Sequence, residues 1–262
     1  MAGNFQYIPT TSFFAYTPTA SSSAALYPVT RLADWLHTRP LVRTWRSTAI
    51  TPQAIGFDFG SAKTGTFMAL LNANFTSIQV SVSADNITFV DAVTGAGTAV
   101  TRTLTQDLQD PEGYYKMFLP TVYTSKRYGR FEIPAQSTTD GLTYFKIGMV
   151  AWGSSIVTLS HGLQAPLTIE HVSPEYRVEG KDWTEATPSG INYATFQIHN
   201  LFRYSESAEW NRIRLLPPGS RLLIHFNLDD PSETYLCERT RPVVFTRSGI
   251  TQEVDTGLRI LS

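Results

Sequence analysis

One short stretch combines a lysine with glycines and hydroxyl residues, the residue types that bind phosphate groups. It runs from Gly60 to Gly65 and reads GSAKTG. A nucleotide phosphate loop needs a first glycine, four residues, and then Gly-Lys-Ser/Thr at the start of a helix. Here Lys63 comes three residues after Gly60, and an apolar, strand-like run follows. We therefore interpret the stretch as a β-turn between two scaffold strands.

Metal and catalytic sites find little support in the spacing of the reactive residues. The nearest two histidines, His161 and His171, are ten residues apart, so no pair has the spacing that places two imidazoles on one metal ion. The single cysteine, Cys237, is predicted to be a buried apolar residue. Gly153-Ser154-Ser155 lacks the final glycine of a hydrolase nucleophile turn. We expect no enzyme activity, no metal ion and no cofactor.

Acidic residues are concentrated in the second half of the chain, where a pair of them could act as acid and base. A glycosidase needs two carboxyl groups facing each other across a cleft. Nothing in the sequence shows which of them face each other, and we interpret them as solvated loop charge. They are Glu206, Glu209, Asp229, Asp230, Glu233 and Glu238.

Five tryptophans could provide flat surfaces for sugar rings, with a nearby arginine or asparagine to bind the hydroxyl groups. Trp45 lies between Arg43 and Arg46, which suits such a site but also suits a core residue flanked by surface cations. We predict that Trp45 and Trp152 belong to the core. Trp35 and Trp183 stand in polar surroundings and are the candidate glycan contacts.

The composition excludes several classes of partner. The 262 residues carry a net charge of -1, and only 16% of them are charged. Such a balance predicts no nucleic-acid surface. No run approaches the ~18–20 apolar residues of a membrane span, so we expect no membrane insertion. The N-terminus lacks the pattern of a signal peptide, which predicts a protein made in a cytoplasm.

Short strand patterns separated by turn residues fill most of the chain and predict an all-β protein. Residues 1–30 have aromatic side chains but no helical periodicity, and we expect an extended N-terminal arm. A short helix is predicted from Arg31 to His37. Ile55, Phe57 and Phe59 alternate as one buried strand face. We predict two domains after the arm: a first domain of residues 31–158 and a C-terminal β domain of residues 159–262.

The order of segments between residues 21 and 155 resembles the discoidin or galactose-binding-like jelly roll. This resemblance implies an N-terminal β-sandwich, followed by a second small β-sandwich or barrel. Members of this fold often bind glycans through loops at one end, but no binding residue of the family is carried over. The segments are SSSAALYPVTRLADWLHTRPLVRTWRST, AIGFDFGSAKTGTFMALLNANFTS, IQVSVSADN, RYGRFEIPA and LTYFKIGMVAWG.

The forms WRST and LLNANFTS also resemble structural proteins of tailed bacteriophages, of the distal tail or baseplate type, as does WNRIRLLPPGSRLLIHF in the second half. This resemblance implies a non-enzymatic virion component at the tail end, assembled in the host cytoplasm. It would link the tail tube to the hub or fibres. The implied partners are the tail tube, hub, tape measure and fibre proteins, and further copies of the chain in a ring. The alternative is a carbohydrate-binding module that recognises a host-surface glycan.

Overall fold

Strands dominate the computed structural model of the chain, and the pairings between them are antiparallel, which confirms the all-β prediction. It describes residues 5–35, 44–107, 113–154, 156–159, 170–172, 175–179, 184–188, 193–203, 215–217, 219–225, 234–240, 244–248 and 251–260. The strands are β1 (Phe5–Pro9), β2 (Thr17–Ala20), β3 (Trp45–Arg46), β4 (Gln53–Ala73), β5 (Ser77–Ser83), β6 (Val90–Asp91), β7 (Thr101–Thr103), β8 (Thr105–Gln106), β9 (Tyr115–Ile133), β10 (Lys146–Ile147), β11 (Met149–Gly153), β12 (Val157–Leu159), β13 (Glu170–Val172), β14 (Glu175–Glu179), β15 (Thr184–Pro188), β16 (Tyr193–Arg203), β17 (Arg221–His225), β18 (Thr234–Arg239), β19 (Val244–Ser248) and β20 (Thr251–Ile260).

Two large sheets organise these strands. The first sheet has the order β11-β4-β9-β5-β6, with β2, β7 and β8 paired to β4, β5 and β9. The second sheet has the order β12-β1-β17-β18-β20-β16-β13, with β19 paired to β20. Two small ladders, β3 with β10 and β14 with β15, complete the described pairings. We call the two large sheets the first and the second sheet below.

A bulged region in the longest strand shapes the first sheet. The turn predicted from Gly60 to Gly65 is wrong, because β4 continues through it beside β9. From Asp58 to Met68 β4 advances ten residues, whereas its partner β9 advances nine, from Tyr128 to Leu119. The register shifts three times: β4 has three extra residues between Asp58 and Lys63, and β9 has one extra residue before Gly65 and one more before Phe67 of β4. The net excess in β4 is one residue, and irregularities of this kind bend a strand and increase its twist. Gly60 has a φ of 72°, a left-handed conformation that glycine adopts without strain.

The extra residue reverses which side chains of β4 point into the sandwich. Before the bulge the odd-numbered Ile55, Phe57 and Phe59 lie in the core, as the sequence predicts. After it the even-numbered Met68 and Leu70 lie in that same core. Since side chains alternate along a strand, a shift of one residue exchanges its two faces. The sheet therefore folds over an aromatic core in which Trp152 packs 5.8 Å from Phe57 and 5.7 Å from Phe59, measured between ring centroids.

The other face of β4 after the bulge is covered by the second sheet. Phe67, Ala69 and Leu71 are fully buried there, so this part of β4 is covered on both faces. Phe118 of β9 stacks on His225 of β17, with ring centroids 4.6 Å apart. The remaining members of this apolar cluster come from β1, β11, β17, β18 and residue 13; they are Ile8, Met149, Ala151, Leu223, Leu236 and Phe13.

The N-terminal segment belongs to both sheets. Residues of the predicted arm form β1, which pairs with β12 and β17 in the second sheet, and β2, which pairs with β4 in the first. The helix predicted from Arg31 to His37 is instead a 3-10 helix at Val29–Ala33, and residues 36–43 lie outside the described part of the chain. The domain boundaries at residues 30 and 158 stay a prediction.

Gly65→Ala is expected to lower the free energy of unfolding by about 1–3 kcal/mol, as overpacking of a core does. A β-carbon at Gly65 would lie 2.2 Å from atoms of Tyr123, a side chain that is buried in the core and would have to shift. Urea denaturation measures the change, with Thr64→Ala at the exposed neighbouring position as control. Equal stability of the two variants would show that β4 and the Tyr123 ring of β9 do not approach each other this closely at Gly65.

Candidate functional site

Trp35, one of the two candidate glycan contacts, lies just after the 3-10 helix and is half-buried. Its ring centroid lies 5.6 Å from that of Phe13 and 5.7 Å from that of Tyr16. The Tyr16 hydroxyl can donate its hydrogen bond either to the carbonyl oxygen of Leu32, at 2.9 Å, or to that of Val150, at 2.6 Å. Burial raises the pKa of this phenol. Aromatic contacts thus fix the indole ring at the edge of the cluster between the sheets.

Arg221, the first residue of β17, connects Trp35 to the second sheet. Its Nη1 donates a hydrogen bond to the carbonyl oxygen of Trp35 at 2.5 Å. The hydroxyl of Thr10 donates to the carbonyl oxygen of Arg221 at 3.2 Å. In the ladder of β17 and β18, Arg221 lies directly opposite Glu238. Three distant parts of the sequence therefore meet at one residue, Arg221, through its side chain and its backbone.

A pocket of about 290 Å³ lies beside this arginine, where the N-terminal segment meets the loop before β17. We call it the seam pocket. It combines apolar surface from a proline and a leucine with hydroxyl groups and one positive charge. Its volume lies at the lower end of the roughly 300–1,000 Å³ of ligand pockets, which suits a ligand of one ring. The lining residues are Pro9, Thr10, Thr11, Leu216, Gly219, Ser220 and Arg221.

The other tryptophans divide as the sequence predicts where the structure describes them. Trp45 and Trp152 are fully buried, which confirms their place in the core. The Nε1 of Trp45 can donate to the hydroxyl of Ser23 at 3.0 Å or to the carbonyl oxygen of Ser22 at 3.2 Å. Trp183, the second candidate glycan contact, lies outside the described residues, so its role stays a prediction.

A second arginine, Arg46, lies between two tyrosine rings on the first sheet's side. Its Cζ is 3.7 Å from the ring centroid of Tyr27 and 5.0 Å from that of Tyr144, and its Nη1 donates to the Tyr144 hydroxyl at 2.9 Å. The guanidinium therefore already occupies the aromatic faces that a sugar ring would need. The sequence shows Arg46 next to Trp45 but gives no sign of its contact with Tyr144, which is 98 residues away.

Residues that could bind a metal ion are spread over the described part of the chain. In that part of the chain no three His, Cys, Asp or Glu side chains come together as a metal site would require. Cys237 is buried there, as predicted. None of the helices in the described ranges is long and apolar enough to cross a membrane. Of the acidic residues that the sequence singled out, Glu238 lies in the described ranges, opposite Arg221.

The comparisons with known proteins give no family for this chain. No family model matches it, and no curated protein matches it. Among solved structures it is similar to the lectin domain of lectinolysin complexed with Lewis B antigen, at 12% identity, over 54% of this chain and 94% of that chain, with a TM-score of 0.39. A chitosan-binding module from a chitosanase/glucanase of Paenibacillus sp. IK-5 gives 20% identity over 54% of this chain and 96% of that chain, with a TM-score of 0.36. CBM32 of AlyQ in complex with 4,5-unsaturated mannuronic acid gives 18% identity over 57% of this chain and 98% of that chain, with a TM-score of 0.38. Likenesses this distant carry no argument about function, and none of the three is a phage protein.

Trp45→Ala is expected to lower the free energy of unfolding by about 3–5 kcal/mol, the range for a fully buried tryptophan. Trp35→Ala should lower it by less, about 1–2 kcal/mol, because this side chain is only partly buried and loses less apolar contact. Denaturant titration measures both, with Leu26→Ala as the control, since Leu26 is 75% exposed. An equal loss for both tryptophans would contradict the partly exposed position of Trp35.

Proposed function

We propose that the protein is a carbohydrate-binding module and that the seam pocket is its sugar site. The observation that carries this proposal is the bond from Arg221 to the carbonyl of Trp35, beside a pocket lined with hydroxyl groups. It brings an aromatic residue, a guanidinium and side chains from both ends of the chain to one place. The jelly-roll resemblance of residues 21–155 supports the same function by analogy alone.

The chemistry of the seam pocket suits a single sugar ring. A pyranose has an apolar face of C–H groups and a rim of hydroxyl groups. Pro9 and Leu216 provide apolar surface for the face, and Thr11 and Ser220 provide donors and acceptors for the rim. The planar guanidinium of Arg221 adds donors whose direction is fixed by its bond to Trp35. A few placed polar groups within an apolar lining are typical of small-molecule sites.

A glycan array followed by calorimetric titration of the best ligand tests this function. Ser220→Ala and Thr11→Ala should each weaken the ligand about tenfold, the effect of one lost hydrogen bond of about 1.4 kcal/mol. Thr48→Ala is the matched control, because this exposed hydroxyl residue does not line the seam pocket. The same titration, followed by product analysis, tests the expectation that bound sugar is not turned over.

Two outcomes would contradict the proposal. An array without any bound glycan would remove carbohydrate binding as the function. A glycan bound equally well by the wild type and by both pocket variants would keep the function and reject the site.

A structural role at a phage tail end is the second candidate. The observation that favours it is a set of strongly exposed aliphatic side chains: Leu26 (75%) after β2, Ile87 (83%) between β5 and β6, and Val122 (68%) within β9. Such side chains become covered when a protein is built into an assembly. Light scattering of the purified chain tests this role, since a ring of several copies is expected and a monomer at high concentration would speak against it.

A further inference from the structure

The two longest strands, β4 and β9, carry more positively than negatively charged side chains. Along β4 and β9 there are five cations and two carboxylates. Lys116 pairs with Asp107, a residue that lies outside these strands, and both are buried. Arg127 pairs with Asp58, and Arg130 pairs with Glu132. Lys63 and Lys126 remain, and neither forms an ion pair within the described part of the chain.

The register places these two lysines directly opposite each other. Lys63 of β4 and Lys126 of β9 are Cα partners inside the bulged region. Opposite residues of an antiparallel pair have their Cβ atoms about 4.5–5.5 Å apart on the same face, and like charges there are destabilising. The Nζ of Lys63 also lies 5.8 Å from the ring centroid of Phe14, at the edge of the range for a cation–π contact. Two positive charges therefore share one small surface.

Asp58, the carboxylate that precedes the bulged region on β4, is bound to another cation. Both oxygens of Asp58 accept hydrogen bonds from Arg127, each at 2.9 Å, and one of them also accepts the backbone N–H of Gly60 at 2.8 Å. The bond from Arg127 holds the pKa of Asp58 below its ordinary value, so this carboxylate stays ionised and bound to its partner. Among the described residues, Asp58 is therefore engaged with Arg127 and forms no ion pair with either lysine.

Exposed hydroxyl residues stand within two positions of each lysine along the two strands. Ser61 and Thr64 on β4, and Thr124 and Ser125 on β9, are all exposed. Ser125 has a φ of 53°, a left-handed conformation that is strained for a serine. A like-charge pair and a strained residue at one position depart from the pattern of a sheet that is optimised for stability alone, and such departures concentrate at functional positions.

We propose that Lys63 and Lys126 bind a tetrahedral oxyanion, a sulfate or phosphate group, at the bulged region. Two ammonium groups provide the charge for a dianion, and the neighbouring hydroxyl groups provide donors for its remaining oxygens. This is not a nucleotide phosphate loop, because the lysines lie on paired strands and not at the start of a helix. The site is separate from the seam pocket and does not depend on the proposed carbohydrate function.

Titration with sodium sulfate at constant ionic strength tests the site, with sodium chloride replacing sulfate and backbone amide shifts as the readout. Saturable shifts are expected at Thr64 and Ser125 in the wild type. Lys63→Gln and Lys126→Gln should each weaken sulfate at least tenfold. Lys181→Gln is the matched control, because it removes the same charge elsewhere in the sequence. Both lysine variants should fold, because each removes the repulsion between the two lysines. Their melting temperatures in chloride should equal or exceed that of the wild type.

Titrations with other ligands identify the source of the anion. Tighter binding of a sulfated oligosaccharide than of inorganic sulfate, with an unsulfated one inactive, would assign a sulfate ester on a glycan. Equal binding of inorganic sulfate or phosphate would assign a free anion, and both results support the site. A wild type without saturable shifts, or a double variant with the affinity of the wild type, would overturn the proposal.

Discussion

One extra residue in β4, accommodated between Asp58 and Met68, is the constraint on which the architecture depends. It lets a continuous strand present odd-numbered side chains to the core before the bulge and even-numbered ones after it. The strand pair can then bend over the rings of Phe57, Phe59 and Trp152 without losing its hydrogen-bonded partner. A flat ladder of this length would leave one of its two apolar faces without cover.

The same reversal creates the surface that the second sheet covers. Phe67, Ala69 and Leu71 point away from the aromatic core, and they are buried because Ile8, Leu223 and Leu236 pack near them in one cluster. The N-terminal segment must reach the second sheet as β1 and then return to the first as β2. The seam pocket lies along this path, next to Arg221. The candidate sugar site is therefore a consequence of how the sheets are joined.

Local patterns in the sequence were sufficient for features that depend on neighbouring residues. The alternation of Ile55, Phe57 and Phe59 and the burial of Trp45 and Trp152 could be predicted in this way. The bulge could not, because Gly60–Gly65 has the residue types of a turn, and only pairing with β9 shows that the strand continues. The seam pocket was also beyond prediction, since Thr10 and Arg221 are 211 residues apart. Contacts of that separation leave no local signal.

Native-state hydrogen exchange tests the central claim, that β1 and the second sheet form one packed unit with the outer face of β4. Amides in the ladders of β1 with β17 and of β4 with β11 should then open with similar free energies, close to that of global unfolding. The account would be contradicted if the β1 amides exchanged at the rate of an unstructured peptide while those of β4 stayed protected. In that case the N-terminal segment would not join the two sheets, and the seam pocket would lose one of its walls.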